Sequence, residues 1–297
     1  MRIFLTGATG FIGTAVVPEL IQAGHQVLGL ARSEAGANAL RAAGAEVQQG
    51  TMEDLEILRA AAAKSDGVIH TAFNHDFSKF AANCEADKRA IEALGAALKG
   101  TDRPLIVTGG VALLAPGRLA TEADPPVPFS PHFPRQSEAA AVALVEQGVN
   151  ASTMRLPQVH DTRKAGLVTF LIAIARQKGV SAYVGDGSNH WAAAHLLDVA
   201  QLYRLAIEKG SAGDRYHAVD EEGVVLRDIA EAVGRGLNVP VVSKTPEEAA
   251  EHFGFLAFFV GADCPVSSAQ TQQRFGWRPA NNPGLIEDLN NTNYSEA

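Results

Sequence analysis

The most informative segment of the chain is Thr6-Gly7-Ala8-Thr9-Gly10-Phe11-Ile12-Gly13. A short apolar run, residues 2–6, precedes it, and an amphipathic helical pattern, residues 11–23, follows it. Between a strand and a helix, the first glycine permits a sharp turn and the second lets backbone amides approach a diphosphate. The third lets the helix pack closely on the strand. Free amides and the positive helix end would then face the diphosphate. The stretch therefore predicts a dinucleotide-binding turn.

Strand and helix patterns alternate through the first half of the chain, with short connections between them. This alternation predicts parallel strand pairing with right-handed crossovers, and hence an α/β fold with a Rossmann-type, doubly wound parallel sheet. The predicted strands are 2–6, 26–31, 45–48, 67–71, 104–108 and 151–155. The predicted helices are 11–23, 35–43, 54–63, 77–98 and 136–147.

The second half is less regular and predicts a smaller C-terminal substrate lobe. We expect a Rossmann domain over residues 1–156 and the substrate-binding lobe, interleaved with it, over residues 157–297. The predicted helices of the lobe are 167–178, 198–209, 226–234 and 246–259, and its predicted strands are 182–184 and 215–219. Residues 109–134 hold six of the fourteen prolines, and a connection of this length predicts a pocket wall. Residues 290–297 are predicted to fray.

Composition excludes several classes of protein. The formal net charge is -8 and the basic residues are scattered, which argues against a nucleic-acid partner. No apolar run of about 18 residues appears, so we expect no membrane span, and no secretory signal is visible. The two cysteines, Cys84 and Cys264, lie far apart, which suits a reducing cytoplasm. No ligand spacing for a metal is apparent.

The end of the second predicted strand indicates which dinucleotide binds. An NAD site usually places an acidic residue there to bind the ribose hydroxyls. This chain has Ala31 at that position, followed by Arg32 and Ser33. The planar guanidinium of Arg32 suits a 2'-phosphate, and Ser33 offers a further hydrogen bond. The sequence predicts NADP(H); a solvated surface arginine is the alternative.

Four segments together resemble the short-chain dehydrogenase/reductase superfamily, in its extended or atypical branch. They are the glycine turn, Gly67-Val68-Ile69-His70-Thr71-Ala72, Arg155-Leu156-Pro157-Gln158-Val159-His160 and His195-Leu196-Leu197-Asp198-Val199-Ala200. The resemblance covers nearly the whole chain and implies no particular substrate. The cofactor-binding residues that it implies, together with those argued above, are Gly7, Ala8, Thr9, Gly10, Phe11, Ile12, Gly13, Arg32, Ser33, Thr51, Met52, Thr71, Ala72, Phe73, Thr108, Pro157, Gln158 and Val159.

The chain departs from this superfamily at the usual catalytic residues. Members generally carry a tyrosine with a lysine four residues later; here Pro134 and Glu138 stand at those positions. Gly109 occupies the expected serine position, and none of the four tyrosines is followed by such a lysine. The preferred interpretation is an NADPH-dependent reductase of a small or medium apolar carbonyl, enone or imine with a non-standard proton donor. A catalytically silent NADP(H)-binding sensor and an epimerase or dehydratase are the alternatives.

The predicted pocket lies where the proline-rich segment, the segment after Arg155 and the later lobe meet the nicotinamide. Three residues are the candidates for its chemistry: Thr108 to orient a carbonyl, and His132 or His160 to donate a proton. The alternatives are a strand-end cap for Thr108 and an exposed loop histidine for His132. The predicted partner is a small-molecule substrate. The helices 77–98 and 136–147 are alanine-rich and suit a homodimer interface; a monomer is the alternative.

Overall fold

A computed structural model describes residues 1–131, 133–280 and 283–294. The chain forms two compact units. The first unit comprises Met1–Gly109, Pro126–Arg155 and Ala200–Tyr216, and the second comprises Gly110–Pro125, Leu156–Val199 and His217–Ala297. The chain therefore passes between the units several times. The single boundary expected between residues 156 and 157 would place segment 110–125 in the first unit and segment 200–216 in the second, the reverse of the structure.

Strands are distributed along the whole chain. They are β1 (Arg2–Thr6), β2 (Gln26–Ala31), β3 (Glu46–Gln49), β4 (Gly67–His70), β5 (Leu105–Gly110), β6 (Ala151–Leu156), β7 (Gln158–Asp161), β8 (Lys164–Ala165), β9 (Ser181–Val184), β10 (His190–His195), β11 (Arg215–His217), β12 (Glu221–Val225) and β13 (Val241–Lys244).

Helices connect these strands. They are α1 (Gly13–Gln22), α2 (Glu34–Ala42), α3 (Leu55–Ala63), α4 (Phe80–Leu98), α5 (Ser137–Glu146), α6 (Val168–Lys178), α7 (Leu196–Lys209), α8 (Leu226–Leu237), α9 (Pro246–Phe253), α10 (Ala257–Val260), α11 (Ala269–Phe275) and α12 (Leu285–Asn291). Short 3-10 turns at Phe77–Lys79 and Gly254–Leu256 precede α4 and α10.

The first unit is built on a seven-stranded sheet in the order β11-β6-β5-β4-β1-β2-β3. β1 pairs in parallel with β2 and β4, β2 with β3, and β4 with β5. Ile3, Phe4 and Leu5 are completely buried, as expected for a parallel strand that is covered on both faces. The predicted Rossmann-type α/β fold is confirmed. Since β1 and β4 are neighbours, the segments that follow them share one edge of the sheet.

The second unit contains a four-stranded sheet in the order β12-β10-β7-β8 and a two-stranded sheet of β9 and β13. β10 runs parallel to β7 and antiparallel to β12. Its apolar core includes Trp191, Phe253 and Leu256. The sequence predicted only two strands in the later region, at 182–184 and 215–219, which correspond to β9 and β11. The strands β7, β8, β10, β12 and β13 were missed.

The predicted helix 246–259 is wrong in its extent. α9 ends at Phe253 because Gly254 adopts φ +56°, a left-handed conformation that interrupts a helix. The aromatic residues beyond it are divided: Phe253 is buried, whereas Phe255 and Phe258 are exposed. Similarly, the predicted helix 77–98 begins with a 3-10 turn and becomes α4 at Phe80. Across the described residues, no helix combines the length and the apolar character needed to cross a membrane.

Candidate functional site

The glycine turn between β1 and α1 has no room for side chains at two of its three glycines. A Cβ atom on Gly7, which has φ +69°, would lie 2.6 Å from the Thr71 hydroxyl oxygen. On Gly13 it would lie 2.1 Å from the Gly7 carbonyl oxygen. Gly10 is different, because its Cβ would meet only the Gly7 carbonyl oxygen, at 3.1 Å. Gly7 and Gly13 thus shape the turn, while Gly10 leaves its outer side open to a ligand.

The first turn of α1 has no capping side chain and no acidic residue. The Thr14 and Ala15 amides donate to the Gly10 and Ile12 carbonyls, whereas the amides of residues 11–13 make no hydrogen bond with any described residue. These three amides are available to an anion, and the helix dipole favours negative charge at this end. In addition, the Gly36 position at the start of α2 lies against Thr9, with 3.0 Å between a built Cβ and the Thr9 methyl. The turn fits the diphosphate of a dinucleotide.

Arg32 and Ser33 follow β2 and precede α2. The Ser33 hydroxyl accepts a hydrogen bond from the Gly36 amide at 3.2 Å and caps α2. Its hydroxyl hydrogen remains free for a second bond. Arg32 is exposed and makes neither a hydrogen bond nor an ion pair with any described residue. Arg41, later on the same segment, is instead engaged by Glu34 and Asn38. Arg32 is thus free to bind an anionic group.

Thr51 and Met52, predicted to contact the cofactor, lie just after β3. The Thr51 amide and hydroxyl both donate to the Asp54 carboxylate, at 2.7 and 2.9 Å. These bonds hold the pKa of Asp54 below its usual value. Met52 packs against the core of the first unit. The polar atoms of Thr51 therefore shape the loop before α3.

A buried chain of polar side chains runs beneath the ends of β1 and β4. The Thr6 hydroxyl lies 2.8 Å from His70 Nδ1, and His70 Nε2 lies 3.1 Å from Asp87 on α4. The Ser137 hydroxyl, at the start of α5, donates to the other Asp87 oxygen at 2.5 Å. Although burial opposes ionisation, hydrogen bonds and nearby positive charge together lower the pKa of Asp87. A buried carboxylate thus joins two strands and two helices.

Thr71 and Ala72 close this edge of the sheet. The Thr71 hydroxyl donates to the Thr6 carbonyl at 2.8 Å, and the Ala72 amide donates to the Thr6 hydroxyl at 3.3 Å. Phe73 follows immediately. Hence two of the predicted cofactor-binding residues, Thr71 and Ala72, lie directly beside the Gly7 position.

Thr108, the candidate for orienting a carbonyl, is 9% exposed and already engaged. Its hydroxyl donates to the His70 carbonyl at 2.7 Å and accepts from the Tyr203 hydroxyl at 2.7 Å. Burial raises the pKa of Tyr203, so that phenol remains protonated. Thr108 retains one acceptor lone pair but no free hydrogen. In this geometry it cannot donate to a substrate.

Arg135 lies next to Pro134, which is buried at the position expected for the tyrosine. Its Nε donates to the Ser137 hydroxyl at 2.9 Å, and Nη2 donates to the Thr108 carbonyl at 3.2 Å. The guanidinium carbon lies 4.4 Å from the centre of the Phe73 ring. The side chain is thus oriented by three contacts at the carboxyl ends of β4 and β5.

Glu138, at the position expected for the lysine, is bound to arginines. It accepts hydrogen bonds from Arg155 Nε at 2.9 Å and Nη2 at 2.6 Å, and Arg215 Nε lies 3.2 Å away. Arg155 is completely buried. The position at which the superfamily resemblance implies a lysine is here part of an ion pair between α5 and β6.

Pro157, Gln158 and Val159, predicted to contact the cofactor, belong to the second unit. Gln158 and Val159 lie in β7, paired with Ala193 and Ala194 of β10. The Gln158 side-chain oxygen accepts a hydrogen bond from the Leu167 amide at 2.7 Å. It thereby holds the turn before α6, and the predicted role of this segment in cofactor binding stays a prediction.

His160, the second candidate proton donor, is completely buried in the second unit. Its Nδ1 lies 2.7 Å from Asp288 of α12, and Nε2 lies 3.7 Å from Glu221. The His195 ring is 5.7 Å away in an edge-on arrangement. Burial lowers the pKa of His160 despite the two carboxylates. Complete burial favours a structural role: Nδ1 is engaged by Asp288, whereas Nε2 makes no hydrogen bond with any described residue. His132, the other candidate, lies outside the described residues.

No group of three histidine, cysteine or acidic side chains in the described residues is arranged to hold a metal ion. The groups that gather at the edge formed by β1, β4 and β5 are instead a glycine turn, an arginine and aromatic rings. Such an edge is where ligands bind in parallel α/β sheets.

Comparison with known proteins shows the family to which the chain belongs. Residues 3–220 match the NAD dependent epimerase/dehydratase family. The chain belongs to this family. The superfamily resemblance inferred from the glycine turn and the later motifs is confirmed, as is the expectation of an NAD(P)-binding Rossmann fold.

The chain is similar to two uncharacterized yeast proteins and, at lower identity, to a ketoreductase. An uncharacterized protein of Schizosaccharomyces pombe is 50% identical over 297 residues, covering 99% of this chain and 100% of that protein. An uncharacterized protein of Saccharomyces cerevisiae is 45% identical, with 99% of each chain covered. A 4-hydroxy-2-methyl-3-oxo-4-farnesyl-3,4-dihydroquinoline-1-oxide ketoreductase of Stigmatella aurantiaca is 27% identical over 86% of this chain and 80% of its own.

Among solved structures, the UDP-glucose 4-epimerase of Thermus thermophilus, in complex with NAD, superposes with a TM-score of 0.75. It is 20% identical and covers 100% of this chain and 98% of its own. At this identity the likeness establishes the shared fold.

The sequence did not indicate the roles of Asp87 and Ser137 or the contacts of Arg135. A signal for Asp87 was available: it is a single acidic residue on the buried face of α4, between Cys84 and Ile91. A charge on an apolar helical face requires a partner. Nothing comparable marked Ser137, because a serine at a helix start is ordinarily a cap.

Proposed function

We propose that the protein is an NADPH-dependent reductase of a small or medium apolar carbonyl, enone or imine. The observation that carries this proposal is the glycine turn, with an uncapped α1 and with the unpaired Arg32 directly after the following strand, β2. Membership of the NAD dependent epimerase/dehydratase family and the similarity to a ketoreductase support it.

In this proposal the protein contributes binding and orientation. The amides of Phe11, Ile12 and Gly13 bind the diphosphate, and Arg32 pairs with the 2'-phosphate. The nicotinamide, when bound, supplies the hydride. Ala72 and Phe73 border the same sheet edge and exclude water there. Hydride addition to a conjugated or polarised bond leaves an oxygen or nitrogen that needs a proton, for which His132 remains the proposed donor.

The second candidate function is a catalytically silent NADP(H) sensor. Glu138 is bound to Arg155 and Arg215, and Pro134 cannot donate a proton. These two departures leave the dinucleotide turn intact but remove the family's catalytic pair. A protein of this kind would bind NADPH without consuming it.

The experiment that separates these functions is NADPH oxidation across ketones, aldehydes, enones and cyclic imines, with NADPH binding measured on the same preparation. A Gly13→Val variant serves as the control, since the built Cβ at Gly13 already overlaps the Gly7 carbonyl. Turnover by the unmodified protein but not by the variant supports a reductase. NADPH binding with no oxidation of any compound class supports the sensor, and no NADPH binding contradicts both.

A further inference from the structure

Arg135 has no negatively charged partner among the described residues. No carboxylate oxygen of that part of the chain lies within 4.0 Å of its guanidinium nitrogens, whereas other arginines of the first unit, such as Arg155 and Arg204, are paired. Two of its nitrogens donate to Ser137 and to the Thr108 carbonyl. The third, Nη1, makes no hydrogen bond with any described residue. A half-buried guanidinium therefore presents a free donor edge.

The nearby carboxylate of Asp87 does not neutralise this charge directly. One Asp87 oxygen faces His70 Nε2 and the other accepts from Ser137. Ser137 thus stands between the carboxylate and Arg135, which it also holds through Nε. This arrangement fixes the guanidinium plane and leaves its outer edge without an anion. Pre-organisation of this kind lowers the entropic cost of binding a planar anion.

An aromatic patch adjoins the guanidinium. It consists of Phe73, His75 and Phe77, in the segment between β4 and α4, and Phe80, the first residue of α4. The ring centres of Phe73 and His75 lie 5.2 Å apart, and those of Phe77 and Phe80 lie 5.4 Å apart. Phe73 also stacks under Arg135. The patch is half-buried to exposed, so flat apolar surface is presented beside a cation.

The patch and Arg135 lie at the same sheet edge as the glycine turn. In the sheet, β4 pairs in parallel with β1 on one side and with β5 on the other. Thr108 in β5 anchors Arg135, and Phe73 follows β4. Because the carboxyl ends of these strands share one edge, a molecule bound here would lie on the side of the sheet that carries the dinucleotide turn.

We propose that Arg135 and the aromatic patch bind a substrate that carries a carboxylate beside a flat or apolar body. The guanidinium edge pairs with the carboxylate, and Phe73, Phe77 and Phe80 contact the apolar part. This inference rests on the proposed reductase function and narrows its substrate class to apolar acids. The residues that would bind the carboxylate, Arg135 and the groups that hold it, all belong to the first unit.

The test compares trans-cinnamate with its neutral analogue cinnamamide, by titration calorimetry on the full chain saturated with NADP+. Cinnamate should bind the unmodified protein more tightly than cinnamamide. Arg135→Gln should weaken cinnamate on the order of 10- to 100-fold and leave cinnamamide unchanged, because only the charge-assisted bonds are lost. The cinnamate affinity of Arg135→Lys should lie between that of the unmodified protein and that of Arg135→Gln. Arg89→Gln is the matched control, because Arg89 is exposed on α4 of the same unit.

Equal affinity for cinnamate and cinnamamide in the unmodified protein would overturn the proposal, as would unchanged cinnamate affinity in Arg135→Gln. A weakened NADP+ affinity in that variant, with cinnamate unaffected, would assign Arg135 to the cofactor instead. Thermal unfolding of each variant establishes that it is folded. Failure of the reductase function looks different: cinnamate would bind through Arg135, yet no unsaturated or oxo acid would be reduced.

Discussion

Glu138 binds the completely buried guanidinium of Arg155 through two hydrogen bonds, Nη2 to Oε1 at 2.6 Å and Nε to Oε2 at 2.9 Å. The pair connects the start of α5 to β6. Neutralising Glu138 removes the carboxylate that pairs with a completely buried guanidinium, which costs far more than an exposed pair contributes.

We therefore expect Glu138→Gln to lower the free energy of unfolding by about 3–5 kcal/mol. Urea denaturation measures this change. Glu92→Gln is the control, because Glu92 pairs with Lys88 at 3.9 Å on the exposed side of α4; it should change stability by less than about 1 kcal/mol. Similar small effects in both variants would mean that Arg155 finds water or another partner once Glu138 is neutral.

The first half of the fold was predictable because its signals are local. An apolar strand, a glycine turn and an amphipathic helix occur within residues 2–23, and each reinforces the others. The later strands lack such signals. β10 reads His190-Trp191-Ala192-Ala193-Ala194-His195, a pattern that a helix would accept equally well. It becomes a strand through pairing with β7 and β12, distant in sequence.

The candidate site was predictable to a similar degree. The glycine turn and the unpaired Arg32 follow from short motifs, whereas the engagement of Thr108 depends on Tyr203, which lies 95 residues further along the chain. The burial of His160 likewise depends on Asp288, 128 residues away. A side chain's partners across such separations cannot be inferred from a single sequence. The Thr108 hydroxyl, which looks like a free donor in the sequence, is therefore found engaged in the structure.

The glycine turn separates folding from ligand binding at two positions. Gly13→Ala should lower both stability and NADPH affinity, because its Cβ would lie 2.1 Å from the Gly7 carbonyl oxygen. Gly10→Ala should lower stability much less than Gly13→Ala, since the same oxygen is 3.1 Å away and a shift of a few tenths of an ångström relieves the contact. Its methyl would nevertheless stand where the diphosphate approaches, and we expect NADPH affinity to fall on the order of 10-fold or more.

Denaturation and NADPH titration of both variants measure these effects. The expected result is a loss of affinity in both variants and a clearly larger loss of stability in Gly13→Ala than in Gly10→Ala. If Gly10→Ala bound NADPH as the unmodified protein does, the diphosphate would have to lie elsewhere.

Arg32 should determine cofactor preference. Arg32→Ala removes a charge that no described residue pairs with, so the fold should not change. The variant should lose NADPH affinity on the order of 10- to 100-fold and keep its NADH affinity, because only NADPH carries the 2'-phosphate. Arg41→Ala is the control, since Arg41 is engaged by Glu34 and Asn38. Equal losses for both dinucleotides would show that Arg32 does not contact the 2'-phosphate.

His160 should make stability depend on pH. Burial is the largest cause of its lowered pKa, and the His195 charge acts in the same direction, against Asp288 and Glu221. In the unfolded chain the ring titrates near its ordinary pKa of 6.5, so there it binds a proton more readily than in the folded protein. The contribution of His160 is therefore fully present above that value and is lost as the pH falls below it.

Urea denaturation between about pH 5 and pH 8 tests this directly. His160→Asn retains a donor for Asp288 but cannot titrate, so its stability should decline less steeply below the ordinary histidine pKa than that of the unmodified protein. His252, whose pKa burial and two lysines also lower, accounts for a remaining slope, and adding His252→Gln should flatten the curve further. Parallel curves for the unmodified protein and His160→Asn would show that the buried ring takes up its proton as easily as an exposed one, with Asp288 and Glu221 compensating for its burial.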